Sequence, residues 1–245
     1  MFFHLKSLFY AILFLGILQV IFWNENLIWQ AGIFLLFFSI WSAKRVGGKY
    51  SFSTIPIVFS TSSIILLYLI DFSADQQAFI ILASMIFYFI LLGIFRLKSY
   101  SEDQTAKGIA SGGLLATIFL FYSGFYGLYI NFSIPLWLLM LVFLAITFIL
   151  SYHYLGAISS DKKKILSFSV ILGFAMAEIS WVISFWPFGY LTTGVIALIF
   201  YYMFWDLAQS YFTQKLSKKK ITFNLIFFSL LIGLILLTSR WQLAV

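Results

Sequence analysis

Residues 78–95 read AFIILASMIFYFILLGIF, and the basic residues Arg96 and Lys98 follow them directly. This run contains no charged side chain, and a helix needs about 20 mostly apolar residues to cross the hydrocarbon layer of a membrane. The run is also too long and too uniformly apolar for a strand of a membrane β-barrel, in which apolar and polar residues alternate. We therefore predict a transmembrane helix that ends at a positively charged membrane surface.

The same combination of long apolar runs and sparse charge extends over the whole chain. Of the 245 residues, 63% are hydrophobic and 9% are charged, whereas soluble domains carry about 25% charged residues. The composition thus excludes soluble globular, disordered and coiled-coil proteins. We predict an all-α fold, a polytopic transmembrane helical bundle that forms a single integral membrane domain over residues 1–245 without a soluble domain. The bundle is predicted to have about nine spans, at residues 7–23, 27–43, 52–70, 78–95, 108–130, 134–155, 165–186, 188–212 and 221–238.

The positions of the basic residues predict how the bundle is oriented. Fourteen of the fifteen Lys and Arg residues fall before span one or in the connections after spans two, four, six and eight, while Arg240 follows span nine. Because cytoplasmic connections are enriched in Lys and Arg, we predict a cytoplasmic N terminus and an external C terminus. The net charge of +7 then reflects topology, and we expect no nucleic acid partner. Abundant Phe, Ile and Lys are typical of AT-rich bacterial genomes, which favours a bacterial plasma membrane.

One carboxyl group lies inside a predicted span. Glu178 is about 12 Å from the outer end of span seven at Trp186, at 1.5 Å per residue. An intramembrane carboxyl costs at least about 2.5 kcal/mol unless it is satisfied, so we expect Glu178 to be protonated or hydrogen-bonded. Glu178 with the nearby Trp181 is therefore a candidate ligand-binding or proton-coupling site. The alternative is a protonated glutamate that bridges two helices.

Three further candidate residues for ligand binding or proton coupling, Asp206, His153 and Tyr202, are predicted near the cytoplasmic boundary. Asp206 lies about 27 Å from the start of span eight, one helical turn after Tyr202, and His153 has a similar depth in span six. A hydrogen bond between His153 and Asp206 can form if the two spans touch. The alternative is an interfacial carboxylate near Lys215. One His and one Asp are too few for a metal site, so we expect no metal and no cofactor.

Two spans carry patterns that are typical of close helix packing. Gly108, Gly112 and Ala116 in span five have small-xxx-small spacing, with Gly124 on roughly the same face and Gly127 close by, and this spacing lets helix backbones approach closely. Span three combines Pro56 with many Ser and Thr residues. A proline can kink a helix, and hydroxyl groups can bond the carbonyls that it frees. Span three is thus predicted either to line a cavity or to pack within the bundle.

Known catalytic patterns are absent from the sequence, and no catalytic residue is assigned. Asp71 and Asp75 form a single DxxxD string, whereas a diphosphate site needs several carboxylates that converge on a metal ion. A GxSG serine protease motif requires a glycine two residues before the serine, whereas Ile109 occupies that position before Ser111. The chain also has no Cys, which excludes thiol catalysis. These observations make an enzyme the less favoured class.

Three functions remain open on the sequence alone. The favoured one is binding or transport of a small or lipid-like ligand in an intramembrane cavity near Glu178, among spans three, five, seven and eight. The second is a non-catalytic membrane subunit that scaffolds a larger complex. The third is a lipid-active membrane enzyme that uses Glu178, Asp206 or His153, although these residues do not share one depth. The expected partners are membrane lipids and other membrane subunits.

Overall fold

The computed structural model describes residues 2–99, 103–159 and 161–239, and all regular secondary structure within these ranges is helical. The predicted all-α helical bundle is confirmed. Arg240, which the sequence analysis places after the last span, lies outside the described residues. The helices of the described part are α1 (Phe2–Trp23), α2 (Ile28–Gly47), α3 (Thr54–Leu69), α4 (Ser73–Ser99), α5 (Gln104–Phe132), α6 (Leu136–Ile158), α7 (Lys162–Ile183), α8 (Tyr190–Phe212) and α9 (Lys218–Thr238).

Helix length and composition indicate a multi-pass membrane protein. Among the described residues, eight helices are long and apolar enough to cross a membrane, and α3 is a shorter apolar helix. A 3-10 turn at Tyr50–Ser53 leads into α3, so the predicted third span is divided between a turn and a helix of 16 residues.

The interior of α3 is packed and is not kinked by its proline. Pro56 lies in the first turn of α3, where backbone N–H groups have no partner within the helix and a proline is tolerated. Ser60 is fully buried and shares a hydrogen bond of 2.6 Å between its Oγ atom and Oγ of Ser39 on α2. The hydroxyl of Ser63 donates to the Phe59 carbonyl of its own helix. Ser60 thus joins α3 to α2, whereas Ser63 satisfies its hydroxyl within α3.

The chain divides into two compact units, and the boundary falls within α5. Unit 1 is Met1–Gly124 and unit 2 is Phe125–Val245. The core of unit 1 is an aromatic cluster to which α1, α2, α3 and α4 each contribute one ring. The rings of Phe14 and Phe87 stack with centroids 4.3 Å apart, and the cluster is completed by Phe38 and Phe59.

Close contact between α4 and α5 in unit 1 depends on other glycines than those predicted. A Cβ atom on Gly93 would lie 3.2 Å from the backbone nitrogen of Ala110, and one on Gly113 would lie 2.9 Å from Ile90. In the described part of the chain, a Cβ on Gly108 or Gly112 would meet nothing within 4 Å. The predicted packing through Gly108 and Gly112 is therefore wrong, because these two residues lie on an exposed face of α5, whereas a Cβ atom on Gly124 would lie 3.1 Å from Ile65 of α3, as close packing requires.

Unit 2 contains the end of α5 and the helices α6–α9. One close approach is at Gly173 of α7, where a Cβ atom would lie 2.9 Å from the backbone oxygen of Leu144 on α6. Gly173, Ala177 and Ser180 belong to the buried face of α7. Small side chains at this spacing let the backbones of α6 and α7 come close.

Hydrogen bonds between helices add to the packing of unit 2. The hydroxyl of Tyr126 on α5 donates to the backbone oxygen of Ser180 on α7 over 2.6 Å. The hydroxyls of Ser151 on α6 and Tyr201 on α8 are 3.2 Å apart. Buried polar groups are costly unless they are hydrogen-bonded, so these contacts fix which residues of the neighbouring helices meet.

The first test concerns the bond from Tyr126. Replacing Tyr126 with phenylalanine keeps the ring and removes the donor, so we expect the free energy of unfolding to fall by about 1 kcal/mol. Thermal unfolding of the purified protein in detergent measures the change. Tyr129→Phe is the matched control, because its hydroxyl bonds no described residue and its ring lies beside Tyr126. Equal unfolding temperatures for the two variants would refute the contribution of the Tyr126 bond.

Candidate functional site

Four polar residues, which we call the α8–α9 clasp, join the last two helices of unit 2. Asp206 and Ser210 lie one turn apart on α8, and Lys220 and Asn224 lie one turn apart on α9. Residues four apart share one face of a helix, so each helix presents a polar pair to the other. Ser217 caps α9 by accepting a hydrogen bond from the backbone N–H of Lys220, which fixes where this helix begins.

The geometry of the clasp satisfies its charged groups. Nζ of Lys220 lies 3.3 Å from Oδ1 and 3.2 Å from Oδ2 of Asp206. Asn224 donates through Nδ2 to Oδ2 of Asp206 over 2.6 Å. Lys220 also donates to the hydroxyl of Ser210, which in turn donates to the Asp206 backbone oxygen. The Asp206 carboxyl group is therefore held by an ion pair and a hydrogen bond from α9, and its predicted role in ligand binding or proton coupling stays a prediction.

An aromatic row accompanies the clasp toward the interior of unit 2. The ring centroid of Tyr202, one turn before Asp206, is 5.4 Å from that of Phe228 on α9. Trp205 lies 5.6 Å from Tyr202 and 5.3 Å from Tyr154 of α6. Tyr202 and Asp206 thus both belong to the contact of α8 with α9, as their shared helix face requires.

His153 is not brought together with Asp206. Its Nδ1 atom lies 2.9 Å from the carbonyl oxygen of Ile149, one turn back on α6. Among the described residues, the Asp206 carboxyl group is bonded by Lys220 and Asn224, and Ser210 donates to the Asp206 backbone oxygen. The expected hydrogen bond between His153 and Asp206 is absent there, and the lysine beside Asp206 is Lys220 instead of Lys215.

Glu178 and Trp181 lie on the exposed face of α7. The side chain of Glu178 is exposed, and Trp181 is 49% exposed with its ring 5.5 Å from that of Phe185. No described residue gives the Glu178 carboxyl a hydrogen bond or an ion pair. The roles predicted for Glu178 and Trp181 in ligand binding or proton coupling stay predictions.

An apolar groove that the sequence analysis did not identify lies between α7 and α8. It has a volume of about 260 Å³, and its lining is almost wholly apolar. Glu178 is absent from the described lining, and Ala175, three residues earlier, is present. The groove is lined by Phe168, Ile171, Leu172 and Ala175 of α7, by Phe204, Leu207, Ala208 and Tyr211 of α8, and by Leu216 and Ile221.

Exposed lysines, which we call the basic rim, flank one end of this groove. They are Lys162 and Lys163 at the start of α7 and Lys215, Lys218 and Lys219 around the start of α9. Ring contacts of Phe168 with Tyr211 at 4.9 Å and with Phe212 at 5.2 Å join the start of α7 to the end of α8. The basic rim therefore lies at the same end of unit 2 as the groove.

Asp161 organises the α7 side of the basic rim. Its Oδ1 atom accepts a hydrogen bond of 3.2 Å from the backbone N–H of Lys164, and this cap begins α7. The same backbone bond holds the pKa of the Asp161 carboxyl below its usual value. Lys164 is also paired with Asp161 over 3.3 Å, which leaves Lys162 and Lys163 as the lysines of this turn that belong to the rim.

Comparisons with known proteins place these features in a family context. A family model described as "Protein of unknown function (DUF5656)" matches residues 41–238. The matched range includes the clasp, the groove and the basic rim. No curated protein and no solved structure matches the chain. The function is therefore argued from the geometry of unit 2.

Proposed function

The chain belongs to the family of proteins of unknown function DUF5656, and we propose that it binds an anionic phospholipid of the surrounding membrane in the groove of unit 2. One acyl chain occupies the groove, and the headgroup meets the basic rim. The observation that carries this proposal is the apolar lining of the groove at a lysine-rich end of the helices.

The groove suits an acyl chain better than a polar solute. An apolar lining offers no hydrogen bonds to a polar solute, whereas each buried CH₂ group contributes about 0.8 kcal/mol. These properties favour binding of a lipid over transport of a polar compound.

The basic rim supplies the preference for a negative headgroup. Each Lys near an anionic membrane surface contributes about 1 kcal/mol of attraction. Three rim lysines, Lys215, Lys218 and Lys219, lie close in sequence to the lining residues Leu216 and Ile221. A phosphate at this end is therefore attracted while its acyl chain is held in the groove.

The proposal includes the placement of the chain in the membrane. We assign the basic rim to the cytoplasmic side of a bacterial plasma membrane, because basic connections are retained on that side. This orientation puts the N terminus in the cytoplasm, and the ligand comes from the cytoplasmic leaflet. The anionic lipids that attract basic segments at a cytoplasmic surface fit this assignment.

Ligand stabilisation of the purified chain tests the proposal. A ligand that binds only the folded state raises the unfolding temperature as its concentration exceeds Kd. We expect dioctanoyl phosphatidylglycerol to stabilise the protein in neutral detergent at concentrations about tenfold below those at which dioctanoyl phosphatidylcholine does, which corresponds to about 1.4 kcal/mol. Equal stabilisation by the two lipids would argue against the role of the basic rim.

Two variants separate the groove from the rim. Ala175→Phe fills the groove and is expected to weaken binding of both lipids at least tenfold, whereas Ala78→Phe adds the same ring to an exposed position of α4 and serves as the control. The combined replacement of Lys215, Lys218 and Lys219 by alanine is expected to remove the preference for phosphatidylglycerol and to leave binding of phosphatidylcholine. Binding by Ala175→Phe at the level of its control would refute the groove as the site.

A further inference from the structure

Exposed basic residues of unit 1, which we call the Gly48 cluster, gather where α2 and α4 both end. They are Lys44 and Arg45 in the last turn of α2, Lys49 directly after Gly48, and Lys98 in the last turn of α4. Gly48 has a φ of 78°, a left-handed conformation that favours glycine and ends α2. Two helices thus contribute basic side chains to one turn of the chain.

The ammonium groups of Lys44 and Lys98 are both held beside this turn. A Cβ atom on Gly48 would lie 3.0 Å from Nζ and 3.4 Å from Cε of Lys98, so the lysine side chain lies across the bare backbone of the glycine. Lys44 donates to the hydroxyl of Tyr50, and its Nζ atom lies 4.0 Å from the centroid of the tyrosine ring. Residues 48–50 therefore have one ammonium group from each helix next to them.

The Gly48 cluster has no counter-ion within the described part of unit 1. The side chains of Lys49 and Lys98 form no hydrogen bond or ion pair with any described residue. The guanidinium group of Arg45 lies over an aromatic face, with its Cζ atom 5.7 Å from the ring centroid of Trp41, a contact that does not neutralise its charge. Like charges repel one another, so an anion from outside the chain would stabilise this arrangement.

The described carboxyl groups of unit 1 are placed elsewhere or are already used. Asp71 and Asp75 lie at the start of α4, and Asp75 is about 35 Å from Lys98 along the helix. Glu25 precedes α2 and is thus separated from the cluster by the length of that helix. Asp103 lies near the start of α5, where its Oδ1 atom accepts a backbone N–H of the first helical turn over 2.9 Å.

We propose that the Gly48 cluster binds a phosphate group at the membrane surface. A phosphate monoester carries a charge of about −1.5 to −2 at pH 7 and three accepting oxygens, which suits the ammonium groups of Lys44 and Lys98. The Tyr50 hydroxyl accepts from Lys44 and keeps its own hydrogen to donate to a phosphate oxygen. Topology requires only that basic residues lie on one side of the membrane; it does not require lysines of two helices to meet at one glycine.

The phosphate comes either from a lipid headgroup or from a soluble phosphate compound. Trp41 and Tyr50 are 46% and 63% exposed at this end of α2, and such aromatic side chains are typical of the headgroup level of a bilayer. The site lies wholly in unit 1, so the proposal is independent of the groove and the basic rim of unit 2.

Titration calorimetry in neutral detergent tests the site with inorganic phosphate and dioctanoyl phosphatidic acid. The parent protein carries alanine at Lys215, Lys218 and Lys219, so that these lysines of the basic rim do not contribute. Phosphatidic acid that binds at least about tenfold more tightly than inorganic phosphate assigns the phosphate to a lipid headgroup, and equal affinities assign it to a soluble compound. An absence of binding by both probes would overturn the proposal.

Substitutions in this parent protein locate the binding. Lys44→Met with Lys98→Met keeps both apolar stems and removes both charges, so we expect the affinity to fall at least about tenfold while the unfolding temperature without ligand is retained. Lys98→Arg keeps the charge and is expected to bind within about threefold of the parent. Lys164→Met is the control, because this exposed lysine is paired with Asp161 in unit 2. Undiminished affinity in the double variant, or an equal loss in the control, would overturn the proposal.

Discussion

Replacing Asp206 with alanine is expected to lower the free energy of unfolding of the protein by about 2 kcal/mol. The substitution leaves the Lys220 ammonium group without its counter-ion and the Asn224 amide without its acceptor. Removal of one partner of a fully buried ion pair costs about 3–5 kcal/mol. The expected value is smaller because the side chains of Asp206 and Lys220 are 21% and 35% exposed.

A double-mutant cycle distinguishes the ion pair from other effects of the substitution. Lys220→Met removes the charge and keeps an apolar chain of similar length. We expect the double variant, Asp206→Ala with Lys220→Met, to be at least about 1 kcal/mol more stable than the sum of the two single effects, because neither helix then carries an orphan charge. Thermal unfolding in detergent measures all four proteins. Strictly additive effects would contradict the clasp as a coupled unit.

Asp71→Ala is the matched control for this cycle. Asp71 is an exposed carboxylate two residues before the start of α4, and no described residue forms an ion pair with it. Replacement of a surface carboxylate usually changes stability by less than about 0.5 kcal/mol. A loss of stability in Asp71→Ala equal to that in Asp206→Ala would point to net charge as the cause.

The clasp shows how much of a polar site a membrane sequence can predict. A carboxylate is rare in an apolar helix, and this rarity predicts Asp206 as a site residue; Tyr202, also a candidate, lies one turn before it. Lys220 was missed because the basic residues at the end of a span have a sufficient explanation in topology. The signal that could have found Lys220 is its spacing from Asn224, which matches the spacing of Asp206 from Ser210 on the neighbouring helix.

Helix positions could be predicted with few errors, because apolar runs and basic connections both mark the ends of spans. The buried face of each helix could not be predicted with the same success. The depth of Glu178 follows from its position in the run, but its direction depends on which side of α7 packs. The buried small residues Gly173, Ala177 and Ser180 carry that information, since they place Glu178 on the other side of the helix.

The groove could not be predicted from residue types at all. Its lining consists of Phe, Leu, Ile, Ala and Tyr, which also occur at many other buried positions of this chain. A groove forms where the side chains of two helices fail to fill the space between them, and this depends on packing rather than on any one residue. The basic rim was predicted as part of the topology, but its place beside a groove was not.

The second large effect is expected at Gly173. A Cβ atom there would lie 2.9 Å from the backbone oxygen of Leu144, and a backbone atom cannot move aside without shifting α6. Overpacking of this kind costs about 1–3 kcal/mol. We expect Gly173→Val to lower the free energy of unfolding by about 3 kcal/mol, at the upper end of this range, because the branched side chain adds two further methyl groups to the clash.

Alanine at the same position separates packing from helix propensity. Alanine is favoured over glycine by about 1 kcal/mol in a helix interior, so an open position becomes more stable on Gly→Ala substitution. Gly233 of α9 has nothing within 4 Å of a Cβ atom in the described structure, and Gly233→Ala is expected to raise the unfolding temperature. Gly173→Ala is expected to lower it, because the contact with the Leu144 carbonyl outweighs the gain in propensity. A rise in both variants would mean that α6 and α7 do not approach as closely as the structure places them.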